Sequence, residues 1–475
     1  MALVYLGLAW VHSTKARAAE SVAETLASLQ TEYSASLEEL AANCERNTLT
    51  DEAQQTRARK PRLDPWRLHL VDPPAAVSSA QDEVSPLAAD WRAAFDKLRK
   101  GQANKLFELA QRAIAEKQPS LGLELTLAAL REDSDQAGAR RVLGYQRSGD
   151  FWRTPFEIAQ AKKGLQWHDE FGWLRQTEIE RYEAGERRRG SRWISAEDDA
   201  AQHAEISKGW QIETEHYRVT TNHSLQAGVR LAGELEFLYR SWKQVFLRFH
   251  ASDKDLLALF EGKPARGGKM RRHEVVYFRD RAEYQEHLRG SVPEDFVTTG
   301  IYIGDQKTAY FYDDPAIEDH TTLYHEATHQ LFSETRSGVR EPASKANFWI
   351  VEGVACYMET LARVEGGCTV GGNDGDRFLS ARHWLTSGEF FVPLAELSSW
   401  GQDDIQRHEK IATLYSQSAG LTHFLMHYEH GQYRDAAIRL LEAIYTGRDT
   451  PGTLAELADV PFDTLDEQYR QFMQP

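Results

Sequence analysis

His325-Glu326-Ala327-Thr328-His329 has the form H-E-x-x-H. Leu323, Ala327 and Leu331 recur around it at four-residue steps, which predicts a helix. Pro315 behind Asp314 suits the first turn of that helix, and Gly338 behind Arg336 suits its end. Residues four apart on a helix project from one face, so His325 and His329 can both reach one tetrahedral Zn²⁺. Glu326 sits about 100° further round the helix. There it can touch a water beside the metal without being a ligand, as a general base must. The alternative is two surface histidines on a solvated helix, and a third ligand decides between the two.

Trp349-Ile350-Val351-Glu352-Gly353-Val354-Ala355-Cys356-Tyr357-Met358-Glu359 offers that ligand, with 22 residues between His329 and Glu352. It reads as an apolar helix carrying two carboxylates, and a buried carboxylate needs a cation or hydrogen bonds. Glu352 and Glu359 are two turns apart on one face. Glu352 can complete a His-His-Glu set. Glu359 can hold the other ring nitrogen of a ligand histidine and fix its tautomer. Gly353 and Ala355 are small, which lets this helix approach the first one. Cys356 reads as a buried filler. Cys368, in a glycine-rich segment, would compete with a ligand set that is already complete.

Together the two stretches, H-E-x-x-H and W-x-x-E-G-x-A-x-Y-x-E, resemble the gluzincin metallopeptidases, in particular their peptidase MA-like and aminopeptidase-type branch, over about residues 211–475. With the Trp-rich region included, the chain is similar to uncharacterised bacterial proteins that carry a gluzincin-like domain of unknown function. The resemblance implies a zincin-like catalytic domain with one Zn²⁺ on His325, His329 and Glu352, and with Glu326 as catalytic base. It implies a downstream tyrosine that supports the oxyanion. Tyr415, in Leu414-Tyr415-Ser416-Gln417, stands at a comparable place, and His423 is the other candidate. It also implies an edge strand that pairs an extended peptide, here Ala309-Tyr310-Phe311-Tyr312. The implied activity is zinc-dependent hydrolysis of a peptide or protein substrate. No G-x-M-E-N-like exopeptidase motif precedes the first helix. The competing expectation is a non-catalytic, partner-binding scaffold with a structural or vestigial zinc site. Glu326 argues against it, because a structural site needs no base.

The rest of the chain sets the frame. Its 475 residues suggest two or three domains. Acidic residues outnumber basic ones, 72 to 56, and a net charge of −16 disfavours nucleic acid as a partner. Three cysteines exclude a disulfide-rich scaffold and a Cys₄ zinc module. No internal stretch is long and apolar enough for a membrane helix. Residues 1–18 combine a short apolar run, Ala2 to Val11, with Ala16-Arg17-Ala18. That matches a secretory signal and implies export, although no basic residue precedes the run; the other reading is a buried N-terminal helix. Residues 19–56 read as helical, 57–88 as a Pro-rich linker, and 89–149 as a helical hairpin that resembles one tetratricopeptide-like unit. The hairpin serves packing or binds a protein partner. Residues 150–210 repeat a short strand and capped turn around Trp152, Trp173 and Trp193. The tryptophans are expected to pack these units together, and Arg187-Arg188-Arg189 to form a solvated loop. The whole is expected to be α+β, mostly helical ahead of residue 211.

Overall fold

The computed structural model describes residues 21–61, 64–76, 85–263, 271–291, 299–314, 320–336 and 338–474. The chain is α+β and divides into two units, Met1–Pro61 with Val84–Phe95, and Arg62–Glu83 with Asp96–Pro475. The signal-like residues 1–18 lie outside the described residues. Among the described residues no helix is long and apolar enough to cross a membrane.

In the first unit, Ser21 caps the helix Val22–Arg46 through a capping box with Glu24. Leu29, Tyr33, Leu37 and Ala41 form its buried stripe, and the helix Thr50–Ala58 packs against it. Trp91 stacks on Phe95 and donates its indole N–H to Thr56 (2.9 Å).

The second unit opens with a departure from expectation. The segment read as a linker holds the strand Arg67–Val71, paired antiparallel with Gly367–Gly371, and Ala362–Val364 completes this three-stranded sheet. Gln244 clamps Val71 at both its N–H (3.0 Å) and its carbonyl (2.8 Å). Pro65 and the Pro73-Pro74 pair flank the strand instead of interrupting it, which proline tolerates. The helix Pro119–Glu132 buries Leu123, Leu127 and Leu130. It is tied to the helix Arg434–Tyr445 by Ser120 with Asp435 (2.5 Å) and by Arg434 with Glu124 (2.9 Å).

Each tryptophan of the repeat lies on the second strand of a two-stranded hairpin, namely Phe151–Arg153, Gly172–Arg175 and Arg192–Ser195. Thr154 and Ser195 cap the helices that follow the first and third hairpins. Aromatic rings join neighbouring hairpins, with Trp173 against Phe156 and Trp193 against Tyr182. The arginine triplet is not a solvated loop. It lies in the strand Glu186–Arg189, where Arg187 is buried, donates to the Tyr182 carbonyl (2.9 Å) and covers the Phe171 ring. Arg188 pairs with Glu178. Cation–π contact and carbonyl acceptors hold a guanidinium inside that charge counting alone places in water.

The sheet that positions the site has five strands: β1 (Trp210–Glu213), β2 (Tyr217–Thr221), β3 (His273–Phe278), β4 (Gly300–Ile303) and β5 (Thr308–Tyr312). Their order is β4-β5-β3-β2-β1, with β3 parallel to both β5 and β2 and the outer pairs antiparallel. Thus Thr308–Tyr312 is not an edge strand. Ala309, Tyr310, Phe311 and Tyr312 are all buried, and β4 is the edge. Helix α1 (Leu225–Val245), capped by Ser224, packs on β1 and β2. Helix α2 (Thr321–Thr335) packs on β4 and β5, and helix α3 (Phe348–Met358) packs on α2. Helices α4 (Asp376–Ser387) and α5 (Ile411–His427) follow, and α5 packs against both α3 and α4.

Candidate metal centre

Helix α2 carries the H-E-x-x-H residues. His320 has non-helical backbone angles, so the helix begins at Thr321; Pro315, expected in its first turn, lies outside the described residues. Leu323, Ala327 and Leu331 form the buried face. The backbone N–H of Tyr302 on β4 donates to Glu326 Oε2 (3.0 Å), which holds this carboxylate beside the sheet edge.

Every residue of α3 is buried, Glu352 included at 5% exposure. Its start is fixed by Asn347, which adopts a left-handed φ of 57° and donates to Asp449 (2.9 Å) and the Thr450 carbonyl (3.0 Å). Gly353 does bring helices together, but the partner is α5 and not α2. A Cβ there would stand 2.2 Å from Thr422 Oγ1 and 2.7 Å from the Ser418 carbonyl oxygen.

Nε2 of His325 and Nε2 of His329 are 3.2 Å apart, and Glu352 Oε2 lies 3.3 and 3.7 Å from them. Tetrahedral ligands roughly 2.0–2.1 Å from one ion stand roughly 3.4 Å apart. The three atoms therefore fit a single metal ion with little movement. Burial opposes the charge on Glu352, but His329 and His325 outweigh it and hold the carboxyl well below the usual range.

Behind this group, His325 Nδ1 hydrogen-bonds to Glu359 Oε1 (2.7 Å), which leaves Nε2 turned toward Glu352 and His329. Arg377 grips Glu359 with two bonds, Nε to Oε2 (2.7 Å) and Nη2 to Oε1 (3.1 Å). The sequence offers no spacing signal for this arginine. Cys356 is buried, as a filler should be, and its Sγ also lies with His325 and Glu359 in a second close group that could hold a metal. Cys368 lies elsewhere, buried against Ser241 Oγ (3.5 Å).

Of the two oxyanion candidates, the fold brings Tyr415 to this group. Burial, and then the adjacent Glu352 carboxylate, push its phenol far above the ordinary range, and Glu326 adds to the effect. His423 points into a different environment. Its Nδ1 donates to the Ala419 carbonyl (2.9 Å), and its ring packs against Tyr357 and Phe378.

Burial lowers the His423 pKa to about 4 from 6.5. The unfolded chain takes up a proton below about 6.5. The stabilisation from a neutral buried imidazole is therefore whole above that pH and erodes as pH falls toward 4, by up to roughly 3 kcal/mol. Urea unfolding followed from pH 7 to pH 4 should show this loss in the wild type and less of it in His423→Gln. Parallel curves for the two proteins would contradict the assignment.

An α+β fold with a His-His-Glu group able to hold a metal ion is thus the class that fold and site define. Residues 319–442 match the model of a family described as "Protein of unknown function (DUF1570)". That span contains α2, α3, Arg377 and Tyr415. No match to a curated protein was found.

Proposed function

We propose that the chain is a zinc-dependent peptide-bond hydrolase of the gluzincin type, with a zincin-like catalytic domain within residues 211–475. The observation that carries this reading is the position of Glu326. It stands one residue from His325, outside the ligand group, and faces the sheet edge through the Tyr302 N–H. Two imidazoles and a carboxylate are a zinc-type donor set that keeps a position open for chemistry. When bound, zinc polarises the scissile carbonyl and makes water more acidic.

The chain's own groups supply the other steps. Glu326 takes a proton from the attacking water as the new C–O bond forms, then delivers it to the leaving amine as the C–N bond breaks. Tyr415 donates its O–H to the carbonyl oxygen as charge develops there. Glu359 keeps the His325 ring oriented. An extended peptide would pair with β4, whose Tyr302 N–H already meets the base. A scaffold with a merely structural metal has no use for a carboxylate placed in this way.

The test is a peptide library digested with and without chelator, with cleavage sites mapped by mass spectrometry. Cleavage that chelation abolishes and added Zn²⁺ restores is expected. No cleavage of any peptide by zinc-loaded protein would overturn the reading.

A further inference from the structure

The bidentate grip of Arg377 on Glu359 is unusual for where the two residues lie. Glu359 is at the C-terminal cap of α3, the negative end of the helix dipole. Arg377 is in the first turn of α4, the positive end. Each charge is disfavoured by its own helix, yet the two meet in an enclosed contact, with the Glu359 side chain 9% exposed. The chain between them is shaped to allow it. The hairpin Ala362–Val364 with Gly367–Gly371 turns back, and Gly371 and Gly372, at φ of 95° and 114°, return it toward α4. The Gly371 N–H donates to Thr360 Oγ1 (2.7 Å), which ties the end of the hairpin to the residue beside Glu359. Arg377 also lies against Tyr415, with its guanidinium carbon 6.0 Å from the ring centre.

We propose that Arg377 is a positioning residue for the metal centre: its guanidinium fork fixes both oxygens of Glu359, and Glu359 fixes the His325 ring so that Nε2 meets Glu352 and His329. The proposal rests on the His-His-Glu ligand reading. It extends the ligand support by one residue, through a fork geometry that lysine cannot reproduce. Free rotation of the Glu359 carboxylate would let the imidazole tilt, and the three donors would then have to be gathered at each binding event.

The experiment measures Zn²⁺ affinity of the full chain against a chromophoric chelator, together with the visible spectrum of the Co²⁺-substituted protein. Outer-sphere partners of this kind typically change metal affinity by about 10–100-fold. Arg377→Gln and Glu359→Gln should each weaken zinc binding on that scale and shift the cobalt bands. The double variant should be little worse than either single one, because the residues act in series. Arg377→Lys keeps the cation, guards against simple misfolding, and should recover only part of the affinity. Wild-type affinity and spectrum in Arg377→Gln or in Arg377→Lys would overturn the proposal, as would a double variant whose loss is the full product of the single losses. A wild-type chain that takes up no Zn²⁺ would overturn the ligand reading along with it. Normal wild-type uptake that the variants share overturns this proposal alone.

Discussion

Glu326→Gln should fold, keep its zinc and lose nearly all peptide hydrolysis. Three other side chains form the proposed ligand group, so metal content has no reason to fall. Glutamine keeps the size of the side chain and can still accept the Tyr302 N–H bond (3.0 Å). What it loses is basicity. Removing a general base costs typically about 10²–10⁴ in rate, equivalent to roughly 3–5 kcal/mol at the transition state. The comparison is kcat/KM on the best library peptide, beside zinc content, for wild type and variant. Equal rates would sink the proposed mechanism.

Tyr415→Phe should also retain zinc and lose roughly 10²–10³-fold in kcat, with KM little changed. The phenol is held protonated by burial and by Glu352, so it stays a donor through the working range. A donor aimed at charge that develops only in the transition state contributes little to substrate binding. His423→Gln is the control, because that imidazole packs against Tyr357 and Phe378 away from the ligand group. A loss of less than about 3-fold for Tyr415→Phe would remove the tyrosine from the mechanism.

The candidate metal centre was legible where its logic is local. A four-residue step within one helix places His325 beside His329, whatever surrounds it. A carboxylate inside an apolar run marks itself as needing a partner, which exposes both Glu352 and Glu359. Features set by distant pairing were not readable. The apolar run Ala309-Tyr310-Phe311-Tyr312 does form a strand, but its neighbours on both sides are decided by the sheet order. A continuous apolar run is in fact the mark of an interior strand, and the shorter, less buried Gly300–Ile303 takes the edge. Gly353 signals close approach without saying which helix approaches, and the answer is α5. Arg377 had no signature, because it lies 18 positions and a hairpin beyond Glu359. Arg187 defied charge counting for a similar reason, since the Phe171 ring that covers it comes from the neighbouring hairpin.

The strand Arg67–Val71 bears on how this protein can be cut into pieces. It is hydrogen-bonded along its length to Gly367–Gly371, in the segment that connects Glu359 to Arg377. A fragment trimmed to residues 211–475 would contain His325, His329, Glu352 and Glu326, yet it would leave Gly367–Gly371 with a bare flank in place of its partner. Bare strand flanks invite pairing between molecules. Such a fragment is expected to self-associate and to loosen the proposed metal site, whereas one beginning at about residue 62 keeps the strand. Two pieces of chain some 300 residues apart thus act as one folding element, and limited proteolysis between them should leave the N-terminal piece bound, not shed.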